Sequence, residues 1–512
     1  MSPLTSPNST RTTHRPATVV ALLFALFMAA MEMTVVSTAM PTVVGDLGGI
    51  RLYSWVFTAY MLAATVTVPI YGKLADLYGR KPIILFGVVV FLIGSVASGQ
   101  ARSIEQLIAF RALQGLGAGA MQPITMTIIG DLFDVERRAK IQGLFGGVWG
   151  AAGIIGPLLG GYIVSALSWR WVFYINVLPG LLCMGVLIFA YHESVEKRKR
   201  VFDVAGTLVL TTILLLLLAG SGGGARGLAM LAIAGVLTAV FIAVEKRAAE
   251  PMLPIDLFSR RVMAVATVLG TLLGGAMIAT VTFVPLHVQA VLGGSAKEAG
   301  RAITPMLIGW PVASAISGRL LVKVGFRPLI LTGLGVLTVT SIGLAVVLSP
   351  ELSLTWLSFA TGLFGVGMGL ANTALIIAVQ SSVAWKQRGV ATASTMFFRT
   401  IGGTLAVGAL GAVIARELAK VPGVPPEAAN ALLGPEHGRN LAPELVHSLA
   451  WALEDGLHTA FWAIAALAVI AAISGLLFPR IAVADHADAE VATGAKARDT
   501  EAALPSSPNG AE

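Results

Sequence analysis

Residues 204–218 read VAGTLVLTTILLLLL, an uninterrupted apolar segment that contains no charged residue. A membrane-spanning β-strand would instead show a shorter segment in which apolar and polar residues alternate. Within lipid, only helices and closed barrels satisfy the hydrogen-bonding groups of the backbone. This segment therefore predicts a membrane-embedded α-helix, and similar apolar segments recur along the chain.

The composition predicts an all-α membrane protein. Hydrophobic residues make up 56% of the 512 residues and charged residues 12%, with a mean hydropathy of +0.83. Soluble domains carry about 25% charged residues, so this surface is not suited to water. The net charge of +8 indicates basic loops at a membrane face and no nucleic-acid partner. Cys183 is the only cysteine, which excludes an intramolecular disulfide and a cysteine metal site.

Fourteen apolar segments are long enough to cross the ~30 Å hydrocarbon core of a bilayer. The first of them is too long for a cleaved signal sequence and is expected to stay as the first span. The predicted spans cover residues 17–41, 53–71, 83–100, 104–131, 141–165, 171–192, 204–221, 227–244, 262–292, 299–322, 328–348, 354–380, 390–415 and 456–478.

The loops between these spans alternate in basic content. With the N-terminus inside, the inside segments hold more than twice as many Lys and Arg residues as the outside segments. This asymmetry follows the positive-inside rule and predicts that both termini are cytoplasmic. The plasma (inner) membrane is the expected location. Residues 1–16 and 481–512 are polar and are expected to form disordered tails.

Two segments at equivalent places resemble each other. Residues 72–82 read GKLADLYGRKP and residues 318–328 read GRLLVKVGFRP, with Gly, Leu, Gly and Pro at matching positions. Repeated halves with a site between them are common in transporters. We therefore expect an N-terminal six-helix bundle at 17–192, a linker with two extra transmembrane helices at 193–261, and a C-terminal six-helix bundle at 262–480.

Five motifs resemble those of the major facilitator superfamily, in particular of its 14-span drug:proton antiporters, and they follow one another along the chain in the order typical of that family. They are GKLADLYGRKP at 72–82, RALQGLG at 111–117, GIIGPLLGG at 153–161, EMTVVSTAMP at 32–41 and WRWVFYIN at 169–176. The resemblance covers roughly residues 17–480 and implies the major facilitator fold. It departs from the family pattern at Glu32, where the family usually has Asp.

Two charged residues inside predicted spans are candidates for a coupling site. An ionised carboxylate such as Glu32 costs roughly 2.5–3.5 kcal/mol at the centre of a membrane helix. We expect Glu32 to take part in proton coupling or substrate contact, and the alternative is a paired or neutral structural carboxyl. Arg111 stays protonated and needs an acceptor. The resemblance implies that it modulates the proton site, and the alternative is an arginine satisfied by backbone carbonyls.

The resemblance also implies gating residues. It implies that Asp76 contacts the other half in one state, and that nearby basic residues such as Arg80 lock or release that contact. Gly156 and Pro157 mark the expected kink in the fifth span, although plain helix packing is the alternative. The gating candidates are Gly72, Asp76, Gly79, Arg80, Gly156 and Pro157. The candidates for lining a cavity are Thr34, Gln114, Gln289, Asn372, Gln380 and Arg399.

The sequence lacks the motifs of several other membrane functions. It contains no HExxH zinc motif, no GxxxxGK[ST] nucleotide loop and no filter-like repeat, which argues against a membrane enzyme, an ATP-driven pump and a channel. No cofactor, metal, ATP or catalytic residue is expected. The expected function is a monomeric secondary transporter that uses protons to export amphipathic drugs by alternating access. The alternative is an exporter of one endogenous metabolite, such as a siderophore, an amino acid or a self-made antibiotic.

Overall fold

The computed structural model describes residues 13–133, 135–193, 204–220, 224–248, 255–347, 353–383, 387–421 and 443–480. Within them the regular elements are helices, and no strand occurs. The α-helices are α1 Arg15–Leu47, α2 Tyr53–Tyr78, α3 Arg80–Gly99, α4 Ile104–Leu132, α5 Val135–Ala166, α6 Trp171–Tyr174, α7 Val177–Ala190, α8 Val204–Gly220, α9 Gly224–Glu245, α10 Ile255–Phe258, α11 Arg261–Ala290, α12 Ala296–Val324, α13 Phe326–Val347, α14 Leu354–Ser381, α15 Arg388–Ala419 and α16 Pro443–Leu476.

The all-α membrane prediction is confirmed. In the described part of the chain, twelve helices are long and apolar enough to cross a membrane. The two remaining predicted spans, 104–131 and 204–221, coincide with α4 and with α8, which has 17 residues. Helix α1 begins at Arg15, inside the segment expected to be a tail, because the His14 ring accepts a hydrogen bond from the Ala17 amide and Pro16 fits the first turn. The rest of the predicted tails, 1–12 and 481–512, lies outside the described residues.

The helices pack in two groups of related design. In the first group α1 packs on α5 and α7, while α4 packs on both α2 and α3. In the second group α11 packs on α15 and α16, while α14 packs on both α12 and α13. The groups meet mainly through α5 with α12, α2 with α15, and α1 with α11, and α1 also contacts α12.

The repeated loops adopt the same backbone conformation. Gly79, between α2 and α3, has φ +99°, and Gly325, between α12 and α13, has φ +84°. Residues with a Cβ adopt such angles only with strain, so glycine is required at both positions. We call the end of the molecule at the α2–α3 connection the Gly79 end. The opposite end, where α1 connects to α2, is the Gly49 end.

The two extra helices form a hairpin beside the two groups. Helix α8 packs on α9 and also contacts α2 and α15, one helix from each group. Leu210 and Ile213 of α8 and Phe241 of α9 are buried in a small apolar cluster together with Phe397 and Phe398 of α15. The hairpin therefore covers one of the seams where the groups meet.

Close helix contact at Gly117 gives a test of the packing. A Cβ on Gly117 would lie 2.5 Å from the Gly87 carbonyl oxygen and 2.6 Å from the Phe91 Cα, both on α3. Gly117→Ala should therefore lower the melting temperature of the purified protein, by the equivalent of about 1–3 kcal/mol for overpacking. The matched control is Gly343→Ala on the exposed face of α13, where a Cβ would meet open space. Equal melting of the two variants would contradict the close contact of α3 and α4.

Candidate functional site

The structure brings the two predicted coupling residues together. Glu32 on α1 and Arg111 on α4 are each 1% exposed. Arg111 Nη1 donates a hydrogen bond to Glu32 Oε1, and the two groups form an ion pair. Arg111 Nη1 also donates to Gln114 Oε1 at 2.6 Å, and Nε donates to the Val56 carbonyl oxygen at 3.4 Å. The buried arginine is thus held mainly by a carboxylate and only secondarily by the backbone.

A second set of polar side chains completes the shell around the carboxylate. Asn176 Nδ2 donates to Glu32 Oε2 at 2.6 Å and to Ser95 Oγ at 3.1 Å. Ser95 Oγ accepts from Gln114 Nε2 at 3.2 Å and donates to the Phe173 carbonyl oxygen at 2.8 Å. We call Glu32, Ser95, Arg111, Gln114 and Asn176 the Glu32 cluster. It ties α1, α3, α4 and the α6–α7 junction together.

One polar atom of the Glu32 cluster lacks a hydrogen-bond partner among the described residues. This atom is Asn176 Oδ1, which is buried. Buried amide oxygens are rarely unpaired, so an unpaired one calls for an explanation. It lies in the same side chain that holds Glu32 Oε2, which places a spare acceptor next to the carboxylate.

Local structure explains how these side chains meet. Arg111 and Gln114 lie three residues apart on α4 and therefore share one face. Helix α4 begins after Ser103, whose hydroxyl accepts a hydrogen bond from the Gln106 amide. Asn176 lies in the short break between α6 and α7, where the backbone keeps helical dihedral angles, and its side chain is buried. The Tyr60 ring on α2 lies 4.2 Å from the Arg111 guanidinium carbon and adds a cation–π contact.

Sequence reasoning missed three of these neighbours. Asn176 is the last residue of the WRWVFYIN motif at 169–176, so this motif could have indicated it as a site residue. Ser95 and Tyr60 are 0% and 4% exposed, but no sequence pattern distinguishes them from other polar residues in apolar helices. Gln114, expected to line a cavity, belongs to the Glu32 cluster instead.

The predicted gating residues at the Gly79 end lie in a second charged cluster. Arg80 forms ion pairs with Asp131 at 3.2 Å and with Glu193 at 3.8 Å. Glu193 also accepts hydrogen bonds from the Arg80 and Lys81 backbone amides, at 2.7 and 3.2 Å. These contacts stay within the first helix group, and Asp131 and Glu193 were not predicted. The side chain of Asp76 lies outside the described part of the structure, so its expected contact with the other half stays a prediction.

The other gating candidates have contrasting surroundings. Gly72 has open space where a Cβ would lie, whereas a Cβ on Gly156 would overlap Thr34 Oγ1. The Thr34 hydroxyl donates to the Ala152 carbonyl oxygen at 3.2 Å, so this predicted cavity residue lies between α1 and α5. The Pro157 carbonyl oxygen lies at the contact of α5 with α12, where a Cβ on Gly300 would overlap it.

The remaining cavity candidates lie in three places. Gln289 on α11 bridges to α1 at the Gly49 end, where Nε2 donates to the Thr38 carbonyl oxygen at 2.9 Å and Oε1 accepts from Thr42 at 2.9 Å. Gln380 donates to Thr392 Oγ1 at 3.2 Å. Asn372 and Arg399 form a pair, which is described further below. Among the described residues, no group of three or more His, Cys, Asp or Glu could hold a metal ion.

Solved structures share this fold. The crystal structures of a bacterial homolog to the human lysosomal transporter Spinster, in inward-facing occupied and unoccupied conformations, align with TM-scores of 0.66 and sequence identities of 17% and 16%. Each alignment covers 91% of this chain and 97% of that chain.

Sequence comparison identifies the family. The chain is 39% identical over 410 residues to Multidrug transporter protein MdtP of Bacillus subtilis (strain 168), covering 78% of this chain and 75% of the relative. It is 41% identical over 408 residues to Multidrug resistance protein 3 of the same organism, covering 77% of this chain and 78% of the relative. The sequence pattern of the Major Facilitator Superfamily matches residues 22–407. The chain therefore belongs to the Major Facilitator Superfamily, a family of membrane transporters.

Proposed function

We propose that this protein is a proton-coupled antiporter that exports amphipathic small molecules by alternating access. The Glu32 cluster carries the proposal, and the names of the two Bacillus subtilis relatives support the substrate class. The proposed organisation is a monomer in the plasma membrane with both termini cytoplasmic. Its proposed bundles are residues 17–192 and 262–480, with the extra helix pair between them.

Glu32 is suited to bind the coupling proton. Within the predicted spans it is the one acid near the middle, because Glu105 and Asp131 lie at the ends of theirs. Its carboxylate is removed from lipid and held by Arg111. A single acid at this depth is a functional candidate by default, since its charge is costly and needs compensation.

The Glu32 cluster can satisfy both protonation states of the carboxyl group. Ionised Glu32 accepts hydrogen bonds from Arg111 and from Asn176 Nδ2. A proton on Oε2 would make that oxygen a donor facing another donor. Rotating the Asn176 amide by half a turn would present Oδ1, the spare acceptor, to the new O–H group. Protonation would also leave the Arg111 charge uncompensated, which biases the positions of α1 and α4.

The arrangement of the two helix groups fits one state of an alternating-access cycle. At the Gly49 end the groups are joined by Gln289 and by a hydrogen bond of 2.9 Å from the Tyr53 hydroxyl to the Thr282 carbonyl oxygen. At the other end, Gly72 and Gly318 have open space where their Cβ atoms would lie. With the Gly79 end in the cytoplasm, these contacts support an inward-open state in the proposed cycle.

Transport by Glu32 variants tests the coupling role. In proteoliposomes with an imposed pH gradient, Glu32→Gln should reduce uptake of a lipophilic dye to the level of protein-free liposomes. The amide cannot exchange a proton but preserves the size of the side chain. Glu32→Asp should retain gradient-driven transport, because it keeps the carboxylate. Exchange of labelled for unlabelled dye without a gradient should persist in Glu32→Gln and serves as the control for folding.

Two outcomes would contradict this proposal. Unchanged gradient-driven transport in Glu32→Gln would exclude Glu32 as the coupling site. Movement of a single metabolite, with no movement of any amphipathic dye, would favour the metabolite exporter.

The Gln289 bridge provides a test of the closed end. Gln289→Leu removes two hydrogen bonds between the helix groups, each contributing about 0.5–1.5 kcal/mol. The form open at the Gly49 end should then be populated several-fold more. A cysteine at position 54 reports this opening, introduced as Ser54→Cys in a Cys183→Ala background. Ser54 is 3% exposed and packs against Gly411 of α15 in the second helix group, so it is hidden while this end is closed. Its labelling by a membrane-impermeant maleimide should accelerate in the Gln289→Leu variant.

The matched control for this experiment is Gln100→Leu, an equivalent change at the exposed residue that directly follows α3. It should leave the labelling rate of the reporter unchanged. A labelling rate in Gln289→Leu equal to that of the control would show that the bridge does not hold the Gly49 end closed.

A further inference from the structure

Arg399 is the second arginine placed deep in a predicted span, and its surroundings differ from those of Arg111. Among the described residues its side chain donates one long hydrogen bond, from Nη1 to Asn372 Oδ1 at 3.5 Å. No acidic side chain of the residues that the structure describes forms an ion pair with Arg399. The side chain as a whole is partly exposed.

The face of α15 that carries Arg399 looks toward the first helix group. Residues 392, 396, 399 and 403 are spaced by four, three and four positions and therefore share one helical face. On this face Met396 Sδ lies 3.8 Å from Gln122 Nε2 of α4, and Gly403 lies against Met61 of α2. Thr392, one turn further toward the Gly79 end, contacts Gln380. Arg399 thus shares a helical face with residues that contact the first helix group.

The packing around the Arg399 stem directs its head group. Gly274 of α11 lies directly beside it, and a Cβ there would be 2.8 Å from Arg399 Cγ. Because glycine has no side chain, the arginine stem passes close to α11, and its head group reaches α14 at Asn372. Asn372 is 8% exposed. Its amide can turn either an acceptor or two donors toward the same space.

A guanidinium at this depth that has one long hydrogen bond to a neutral partner lacks a counter-charge and further hydrogen-bond acceptors among the described residues. Charged side chains within a membrane protein pair with an opposite charge or face water, because desolvation is costly. Guanidinium groups bind carboxylates with two parallel N–H···O bonds, which are among the strongest protein hydrogen bonds. The carboxylate of Glu32 is already bound to Arg111, so the Glu32 cluster offers no free anion. An anion that completes the hydrogen bonding of Arg399 would therefore have to enter from outside the described residues.

We propose that Arg399 and Asn372 form the binding subsite for the carboxylate of an amphipathic substrate. This proposal rests on the export function proposed above and specifies its substrates as organic anions and zwitterions. Arg399 would bind both carboxylate oxygens, and the Asn372 amide would rotate to donate a third hydrogen bond. The apolar part of the substrate would lie along the same face, against Met396 and Met61.

Two related dyes test the proposal by direct binding. Rhodamine B carries a free carboxylate, and its ethyl ester has the same ring system without that charge. Fluorescence anisotropy with the purified full-length protein, at fixed pH and without a gradient, gives a dissociation constant for each dye. The wild type should bind rhodamine B at least about tenfold more tightly than the ester, as expected for a charge-assisted pair.

Arg399 variants assign that preference to the subsite. Arg399→Gln should bind both dyes with equal affinity, through loss of affinity for rhodamine B and not for the ester. Arg399→Lys should retain part of the preference, because it keeps the charge but not the fork geometry. Arg102→Gln, which removes an exposed arginine at the Gly49 end, should leave both constants unchanged. Retained affinity for the ester shows that a variant is folded.

Several results would overturn the subsite. These are equal binding of both dyes by the wild type, absence of binding of either, or a rhodamine B preference that survives in Arg399→Gln. Because the measurement uses no gradient, it is independent of proton coupling. A failed Glu32 experiment with a positive dye experiment would reject the coupling site alone, and the reverse result would reject the carboxylate subsite alone.

Discussion

The buried ion pair between Glu32 and Arg111 is the constraint on which the first helix group depends. Neither charge reaches water, so each satisfies the other, and removing one partner from such a pair typically costs about 3–5 kcal/mol. The pair joins α1 to α4, and Asn176 joins the same carboxylate to the α6–α7 junction. The positions of these helices are therefore linked to the charge of one carboxyl group. A single proton can alter that charge without any change in covalent structure.

The two helix groups are alike in helix arrangement but differ in where they carry buried charges. At the spacing that relates Gly79 to Gly325, the positions of Glu32 and Arg111 are occupied by Ile278 and Leu357, which are 7% and 1% exposed. The second group thus replaces the ion pair with apolar packing and carries its own arginine on a different helix. Duplication supplied two similar scaffolds, and the proposed roles divide them: the proton is bound in one, and the carboxylate of the substrate in the other.

The fold could be predicted from the sequence because lipid restricts it so strongly. Long apolar segments must be helices, and the predicted spans coincide with helices of the structure, with span 171–192 divided between α6 and α7. The pairing of Glu32 with Arg111 was also within reach, since a buried charge needs a partner. The contacts of Ser95 were not, and the motif at 169–176 could indicate Asn176 but not its contact with Glu32, because contacts between helices far apart in sequence depend on how the helices cross. The same limit explains Thr34, whose hydroxyl faces a carbonyl oxygen of α5, a contact that no local pattern reveals.

The hairpin of α8 and α9 makes the two sides of the molecule unequal toward the bilayer. On one side it shields the seam between α2 and α15 from acyl chains. On the other side, α5 and α12 meet with exposed residues such as Leu158 and Val312 along the contact. In a bilayer, lipid would take the place of protein along that second seam. Changes in bilayer thickness or lateral pressure would act there directly, whereas the covered seam would respond only through the hairpin.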